Sequence, residues 1–442
     1  MAITQRQSPT TPNMVESDLI YAVSSNNGSR PQFQFVAKIR DKDNNEVVIK
    51  QQPVPTGTLP AAKGVFNISQ IARDYMGNDT PWKTQKVSQN ESCNEFDVIF
   101  FEETGSSVSS SVSIVNGTSG SSVYLIDGVV EMNSGDWNWA SGSYYIKERA
   151  SVANSFSHQN ALTTSPISQS IREDEYATIS IINGNFDGDN GNAQDIHTIQ
   201  VSFFDEGRTP QTVFSWPNTT GNGGGPRSGS VQPWQDAYDE QTAATRMIHV
   251  AAGPQNLIDR GLSIPADWAS YKVEAFSQDD AGLDNSDGVW FERWFTRQEP
   301  ECDYEGTRFA WLNELGGWDY FTFPFAVGKS DSIERKTFKQ SFIDYSDASS
   351  YTVGYDKARR GSKIFSINYD ETRTAESDYL TQEQADWLRT LVESPDVYIQ
   401  EGTDFLPIVI QTADYEYKTN PRTQKLYRLS LTYKLANNRR SR

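Results

Sequence analysis

Cysteine is nearly absent: Cys93 and Cys302 are the only two in 442 residues, too few and too far apart for a disulfide framework. A chain with that usage is expected to fold in a reducing cytoplasm. The opening Met-Ala-Ile-Thr-Gln-Arg-Gln shows no apolar core of a secretion signal. Histidine is just as scarce. His158, His197 and His249 stand in no HxH, HExxH or Cys-paired pattern, which leaves a zinc hydrolase without ligands. Gly-x-Ser-x-Gly elbows and Walker loops are missing too. No apolar run approaches the roughly 20 residues of a membrane-spanning helix, so membrane insertion is not expected. A glycosidase needs only two carboxylates, and 58 Asp and Glu leave that class open. No residue stands out as catalytic, cofactor-binding or metal-binding.

The formal charge of −19 is unevenly spread. Residues 331 to 442 carry 17 Lys and Arg against 17 Asp and Glu, leaving 22 against 41 in residues 1 to 330. The expectation is an acidic outward portion followed by a neutral portion able to dock against neighbours. Nucleic acid is not an expected partner of the acidic part, because phosphate binding needs clustered Lys and Arg. Aromatic residues make up 12% of the chain, which suits β-rich domains and protein interfaces better than helical enzymes.

The C-terminal stretch from Asp404 to Asn438 reads as a long antiparallel hairpin. Tyr427, Leu429, Leu431, Tyr433 and Leu435 alternate with Arg428, Ser430, Thr432 and Lys434, giving one buried and one wet face. Phe405 to Gln411 supplies the partner strand, and Thr419 to Thr423 supplies turn residues. Upstream, Thr381 opens a helix with Gln384 three residues on, a capping-box pattern. Leu388, Leu391 and Val392 form its buried stripe with Trp387 at the edge, and Ser394-Pro395 ends it. Gly316-Gly317 turns the chain between two aromatic strands over 309–323. Ser332 to Asp344, Tyr351 to Asp356 and Lys363 to Tyr369 continue as strands.

In the first 300 residues a pattern occurs twice. Phe33 to Ile39 and Val47 to Ile49 form a hairpin; Asn67, with Gln70 three residues on and a Phe66–Ile71 staple, caps a short helix; Asn94 to Glu102 is a strand. Ile196 to Phe204 with Thr212 to Ser215, then a helical turn at Gln255 to Arg260, then Tyr271 to Phe276, repeat that order at offsets of roughly 160 to 190 residues. The fold expected is therefore mainly β and multidomain: a β-sandwich-like domain over 1–150, a second over 151–300 with a Gly-rich loop at 218–233, and a C-terminal β-sheet domain over 301–442 with helix 381–394. The loop at 218–233 is long enough to contact a neighbouring subunit.

Two acidic segments invite a cation. Asp187, Asp189 and Asp195 within 187–195, and Asp279, Asp280, Asp284 and Asp287 within 279–288, space carboxylates with glycine as a hard ion would need. Neither has the EF-hand spacing, and a solvated acidic loop is the expected state of both. Trp137, Trp139, Tyr144, Tyr145, Trp290 and Trp294 could stack on sugars, although clustered aromatics in β-sandwiches more often anchor cores or interfaces.

The segment Trp311-Leu312-Asn313-Glu314-Leu315-Gly316-Gly317-Trp318-Asp319-Tyr320-Phe321, then Arg335-Lys336-Thr337-Phe338, Trp387-Leu388, Leu391 to Tyr398, Pro407 to Ile410 and Leu431-Thr432-Tyr433 with Ala436 to Arg440, resembles virion structural proteins of tailed phages infecting Bacteroidetes, such as Cellulophaga and crAss-like phages. The resemblance is best over residues 300–442 and weaker over 18–75. It implies a tail, baseplate or neck protein that assembles in the host cytoplasm into a symmetric ring of C3, C6 or C12 order and docks to other tail, baseplate or neck proteins. It carries over no catalytic residue. Alternatives are a receptor- or glycan-binding tail protein, whose partner would be a host-surface glycan, and a virion-associated glycan hydrolase.

Overall fold

Alternating and aromatic-rich stretches become strands, and only three α-helices occur among the described residues. The computed structural model describes residues 3–9, 13–41, 45–54, 62–76, 80–84, 87–89, 93–115, 117–118, 121–129, 137–138, 143–144, 161–182, 196–217, 247–278, 284–299, 306–325, 328–340, 343–344, 354–355, 361–416 and 427–437. The Gly-rich loop at 218–233, the acidic segment at 187–195 and the turn at 419–423 lie outside them. The chain divides into one unit of residues 1–299 and 311–320 and another of residues 300–310 and 321–442.

The first unit starts with β1 (Ile3–Gln7), β2 (Asn13–Met14), β3 (Ile20–Ser25), β4 (Gln34–Asp41), β5 (Glu46–Gln51), β6 (Ala62–Asn67), helix α1 (Ser69–Asp74), β7 (Val87–Gln89), β8 (Cys93–Gly105), β9 (Val112–Val115) and β10 (Ser121–Ile126). A short pair, β11 (Trp137–Asn138) and β12 (Ser143–Tyr144), leads on. Then follow β13 (Ser168–Ile171), β14 (Thr178–Ile182), β15 (Ile196–Phe204), β16 (Pro210–Pro217), β17 (Met247–Ala251), helix α2 (Pro254–Asp259), β18 (Ser270–Gln278) and β19 (Asp284–Arg297).

The duplicated pattern extends to the strand order of the sheets, apart from β1 and β9, which have no counterpart among the described residues of the second repeat. One sheet runs β2-β10-β8-β4-β5 and its counterpart runs β13-β19-β18-β15-β16. In both, the first strand lies parallel to the last and the others pair antiparallel. Each repeat adds a smaller sheet, β3 with β6 and β14 with β17, and each second strand runs into a short helix. Side chains from both sheets of the first repeat share one core: Tyr21, Val23 and Phe66 meet Phe35, Phe96, Phe100 and Leu125. Phe100 lies 5.6 Å from Tyr21 and 5.4 Å from Phe66, ring centre to centre. The second repeat uses larger rings, with Tyr271 stacked on Phe295 at 4.9 Å and Trp268 edge-on to Tyr271 at 5.4 Å.

An asparagine performs the same task in both repeats. Asn67 Oδ1 accepts from the backbone N–H of Leu19 at 3.1 Å, just before β3, while Leu19 O accepts from Ile68 N. Asn256 Oδ1 accepts from Ala177 N at 2.9 Å, just before β14, while Ala177 O accepts from Ala252 and Gly253 N. The N-cap of α1 is Ile68 rather than Asn67, which ends β6. Asn67 still accepts from Ser69 N at 3.1 Å, so its carboxamide is shared between the helix start and the adjoining strand.

One segment crosses from the first repeat to the second. After a 3-10 turn at Pro81–Lys83, β7 pairs with β17, Val87 facing Val250 and Gln89 facing Ile248. The crossing is locked by Asn256, whose Nδ2 donates to Trp82 O at 2.6 Å and Thr84 O at 2.7 Å. The predicted boundary at residue 150 thus falls within a unit whose β14-β17-β7 sheet draws strands from both sides of it.

The remaining strands are β20 (Thr307–Leu312), β21 (Trp318–Phe323), β22 (Gly328–Lys339), β23 (Ile343–Asp344), β24 (Gly354–Tyr355), β25 (Ser362–Glu376), β26 (Val397–Glu401), β27 (Asp404–Glu416) and β28 (Arg428–Leu435), with helix α3 (Gln382–Glu393) before β26. Seven form a sheet in the order β21-β20-β26-β27-β28-β25-β22. The helix is capped as its sequence predicts: Gln384 N donates to Thr381 Oγ1 at 3.2 Å and Thr381 N to Gln384 Oε1 at 3.0 Å. Leu388 and Leu391 are buried, and Trp387 is buried with them rather than lying at the edge, edge-on to Phe321 at 5.7 Å. Val392 is only half-buried. From Tyr427 through β28 the alternation holds, with Tyr427, Leu429, Leu431 and Tyr433 buried and Leu435 half-buried.

Asn256→Ala leaves one N–H and two carbonyls without their side-chain partner, and is expected to cost about 3 kcal/mol in chemical denaturation, against about 1 kcal/mol for Asn67→Ala. Burial raises the Tyr21 hydroxyl above its ordinary value. The unfolded chain therefore ionises first, and stability present below about pH 10 is lost as pH rises past it. Denaturation series at rising alkaline pH should show a shallower decline in Tyr21→Phe than in wild type.

Candidate interaction surface

The densest buried polar cluster described lies in the first unit, at the hairpin tip of residues 311–320. Gly316, at φ +79°, makes the turn, and Asn313 Oδ1 holds it by accepting from Leu315 N at 2.9 Å and Gly317 N at 3.1 Å. Asn313 Nδ2 also donates to Leu162 O at 2.7 Å. A Cβ on Gly317 would stand 2.1 Å from that same oxygen, so this second glycine is set by the close approach of another backbone. Beside the tip, Trp318 N donates to Ser180 Oγ at 3.1 Å, Ser180 Oγ lies 2.9 Å from His249 Nδ1, and Thr178 Oγ1 lies 2.7 Å from Tyr320 Oη.

A serine against a histidine suggests a nucleophile and its base. The geometry assigns it differently. Ser180 and His249 face each other across β14 and β17, both buried, and Ser180 Oγ is occupied by the Trp318 amide. The adjoining cavity, lined by Thr178, Ser180, Arg293, Asp319 and Tyr320, holds about 20 Å³, room for one water and far below the roughly 300 Å³ at which ligand pockets begin. The cluster joins β14, β17 and the hairpin tip.

The second unit presents a different surface. β25 pairs with β28 only from Arg373 to Glu376, yet it continues back to Ser362 with β22 as its partner throughout. From Ser362 to Thr372 the two strands form a ribbon roughly 35 Å long. Every residue of β22 is exposed. Ile333, Phe338, Ile364 and Phe365 are 49%, 43%, 40% and 60% exposed, with the two phenylalanine rings 6.3 Å apart. At the root, Arg373 Nε donates to Glu371 at 2.7 Å and its Nη1 to Glu401. Burial works against the Arg373 charge, but the two carboxylates outweigh it and raise its pKa. Like charges are opposed here: Lys329 faces Arg373 at the root and Asp331 faces Glu371 just beyond it, an arrangement that weakens a cross-strand pair. Isolated two-stranded ribbons are marginal in water.

The terminal hairpin is interior to the sheet: β28 lies between β27 and β25. The exposed ribbon was readable only as further strands. Its signal is the run Lys329-Ser330-Asp331-Ser332-Ile333-Glu334-Arg335-Lys336, in which Ile333 is the single apolar side chain, too little to give either face a side to bury. Of the acidic segments, Asp284 and Asp287 lie in β19, with Asp284 facing Gln278, so the expected loop over 279–288 is strand at its second half. Among the described residues no group of three His, Cys, Asp or Glu could hold a metal ion. Trp294 packs on Phe204 at 5.3 Å with the Lys272 ammonium 5.9 Å from its ring. Trp137 and Tyr144 face each other across β11 and β12, Trp290 lies in β19, and Trp139 and Tyr145 lie outside the described residues.

No protein-family model matches the chain, and no curated protein matches it.

Gly317→Ala forces a methyl against the Leu162 carbonyl and should lower stability by about 1–3 kcal/mol in urea unfolding. Gly402, at φ +62° with nothing near its Cβ position, gives a control in which backbone strain acts without a clash.

Proposed function

We propose that this protein is a structural component of a phage virion, of the tail or baseplate, that works by associating with copies of itself and with neighbouring tail proteins. The observation that carries the reading is the β22–β25 ribbon, a long two-stranded element whose outer strand is exposed at every residue and has no further partner strand among the described residues. Sheet edges of that length recruit another strand unless they are blocked. The resemblance of residues 300–442 to virion proteins points the same way, since Arg335 to Phe338 lie in this ribbon. The buried Ser180–His249 pair is accounted for by packing, with Ser180 Oγ held by the Trp318 amide.

Light scattering of the purified chain is expected to give discrete multiples of 49.6 kDa, and peptides of the protein are expected in washed phage particles. A stable monomer that is also missing from the particles would reject the reading.

A further inference from the structure

We propose that the ribbons of successive copies pair edge to edge, β22 of one copy against β25 of the next, and close into an antiparallel barrel. This rests on the self-association reading above and names the surface that performs it. Between Ser362 and Thr372 the ribbon has two bare edges among the described residues, one on β22 and one on β25, and the two strands run in opposite directions. Rotation about an axis along the ribbon brings the β25 edge of one copy antiparallel to the β22 edge of the next. Repetition until closure covers every edge. A two-fold contact between β22 strands would cover one edge of each ribbon and leave β25 bare.

Charge selects the register. Residues directly opposite share a face, so displacements of two residues are the smallest allowed. Undisplaced, the contact between copies would repeat the ribbon's own opposition of Asp331 to Glu371, the outer side of Arg373 being already taken by β28. Displaced by two residues one way, Lys329 meets Glu371 of the next copy and Ile333 meets Ile367, with no like charges opposed over this stretch. Displaced the other way, Glu334 meets Asp370. The first register therefore relieves the like-charge pairing that each ribbon carries alone. The faces also divide as a barrel wall requires. Ser330, Ser332 and Glu334 on β22 share a wholly polar face with Ser366, Asn368 and Asp370 on β25, suited to a wet lumen, while Ile333 and Ile367 lie on the other.

Two full-length single variants, Ile333→Cys and Ile367→Cys, test the contact under mild oxidation, with wild type setting the background from Cys93 and Cys302. Facing residues bring Cβ atoms within about 5 Å, inside disulfide reach with small adjustment. Co-expressed, the two variants are expected to give a linked dimer on a non-reducing gel, and each alone is not. Ile333→Asp is expected to weaken association about tenfold by light scattering. Linkage by Ile333→Cys alone would mean a two-fold contact and overturn the barrel. Oligomers that persist in wild type with no linkage in the mixture would overturn it while leaving self-association standing. A monomeric wild type would remove both.

Discussion

Every β-sheet ends in strands whose outward N–H and C=O groups still need partners, and the way this chain treats its edges organises the rest of the molecule. In each repeat of the first unit a short parallel strand, β2 or β13, covers the outer side of the last long one. The smaller sheet of the second repeat is extended by β7, a segment borrowed from the first. Among the described residues the ribbon of β22 and β25 receives no such cover along its length. The same requirement therefore ties two repeats into one unit and, among the described residues, leaves the other unit with strand edges that have no partner.

The tie between the repeats is bought with polar groups. Asn256 is fully buried and spends its carboxamide on three backbone partners, two of them in the segment leading to β7. Each such bond contributes little net, but an unmade one inside a core is costly, so the arrangement tolerates no partial version. The corresponding Asn67 makes the strand-entry contact and a helix-start contact without the crossing. The repeats share a framework and differ in what is attached to it.

Local patterns in the sequence translated well. The alternation of Tyr427 to Tyr433, the capping box at Thr381 and Gln384 and the hairpin over β4 and β5 each rest on spacing within one element, and each is present. The order hairpin, helix, strand was visible twice, and the structure adds the matching parallel strands and small sheets that short, weakly patterned segments such as Asn13–Met14 could not announce. What spacing could not reveal was pairing between distant segments. Val87–Gln89 carries no mark that its partner is Met247–Ala251, and Asn256 reads as an ordinary helix residue. The strands of the ribbon are legible, but strand propensity reports backbone conformation and not the number of neighbours. Gly317 looked like a turn glycine, whereas the carbonyl of Leu162, far away in sequence, is what excludes a side chain there.

The borrowed strand also has a consequence in time. Ribosomes add about 5–20 residues per second, so some 160 residues separating β7 from its partner amount to a delay of roughly 10–30 seconds. The first repeat can collapse around Tyr21 and Phe100 within that interval, but Val87–Gln89 must wait as a loose end until β17 leaves the exit tunnel. A chain released before Ala251 would keep that end unsatisfied for good, so premature termination ahead of β17 exposes a fault in the first repeat.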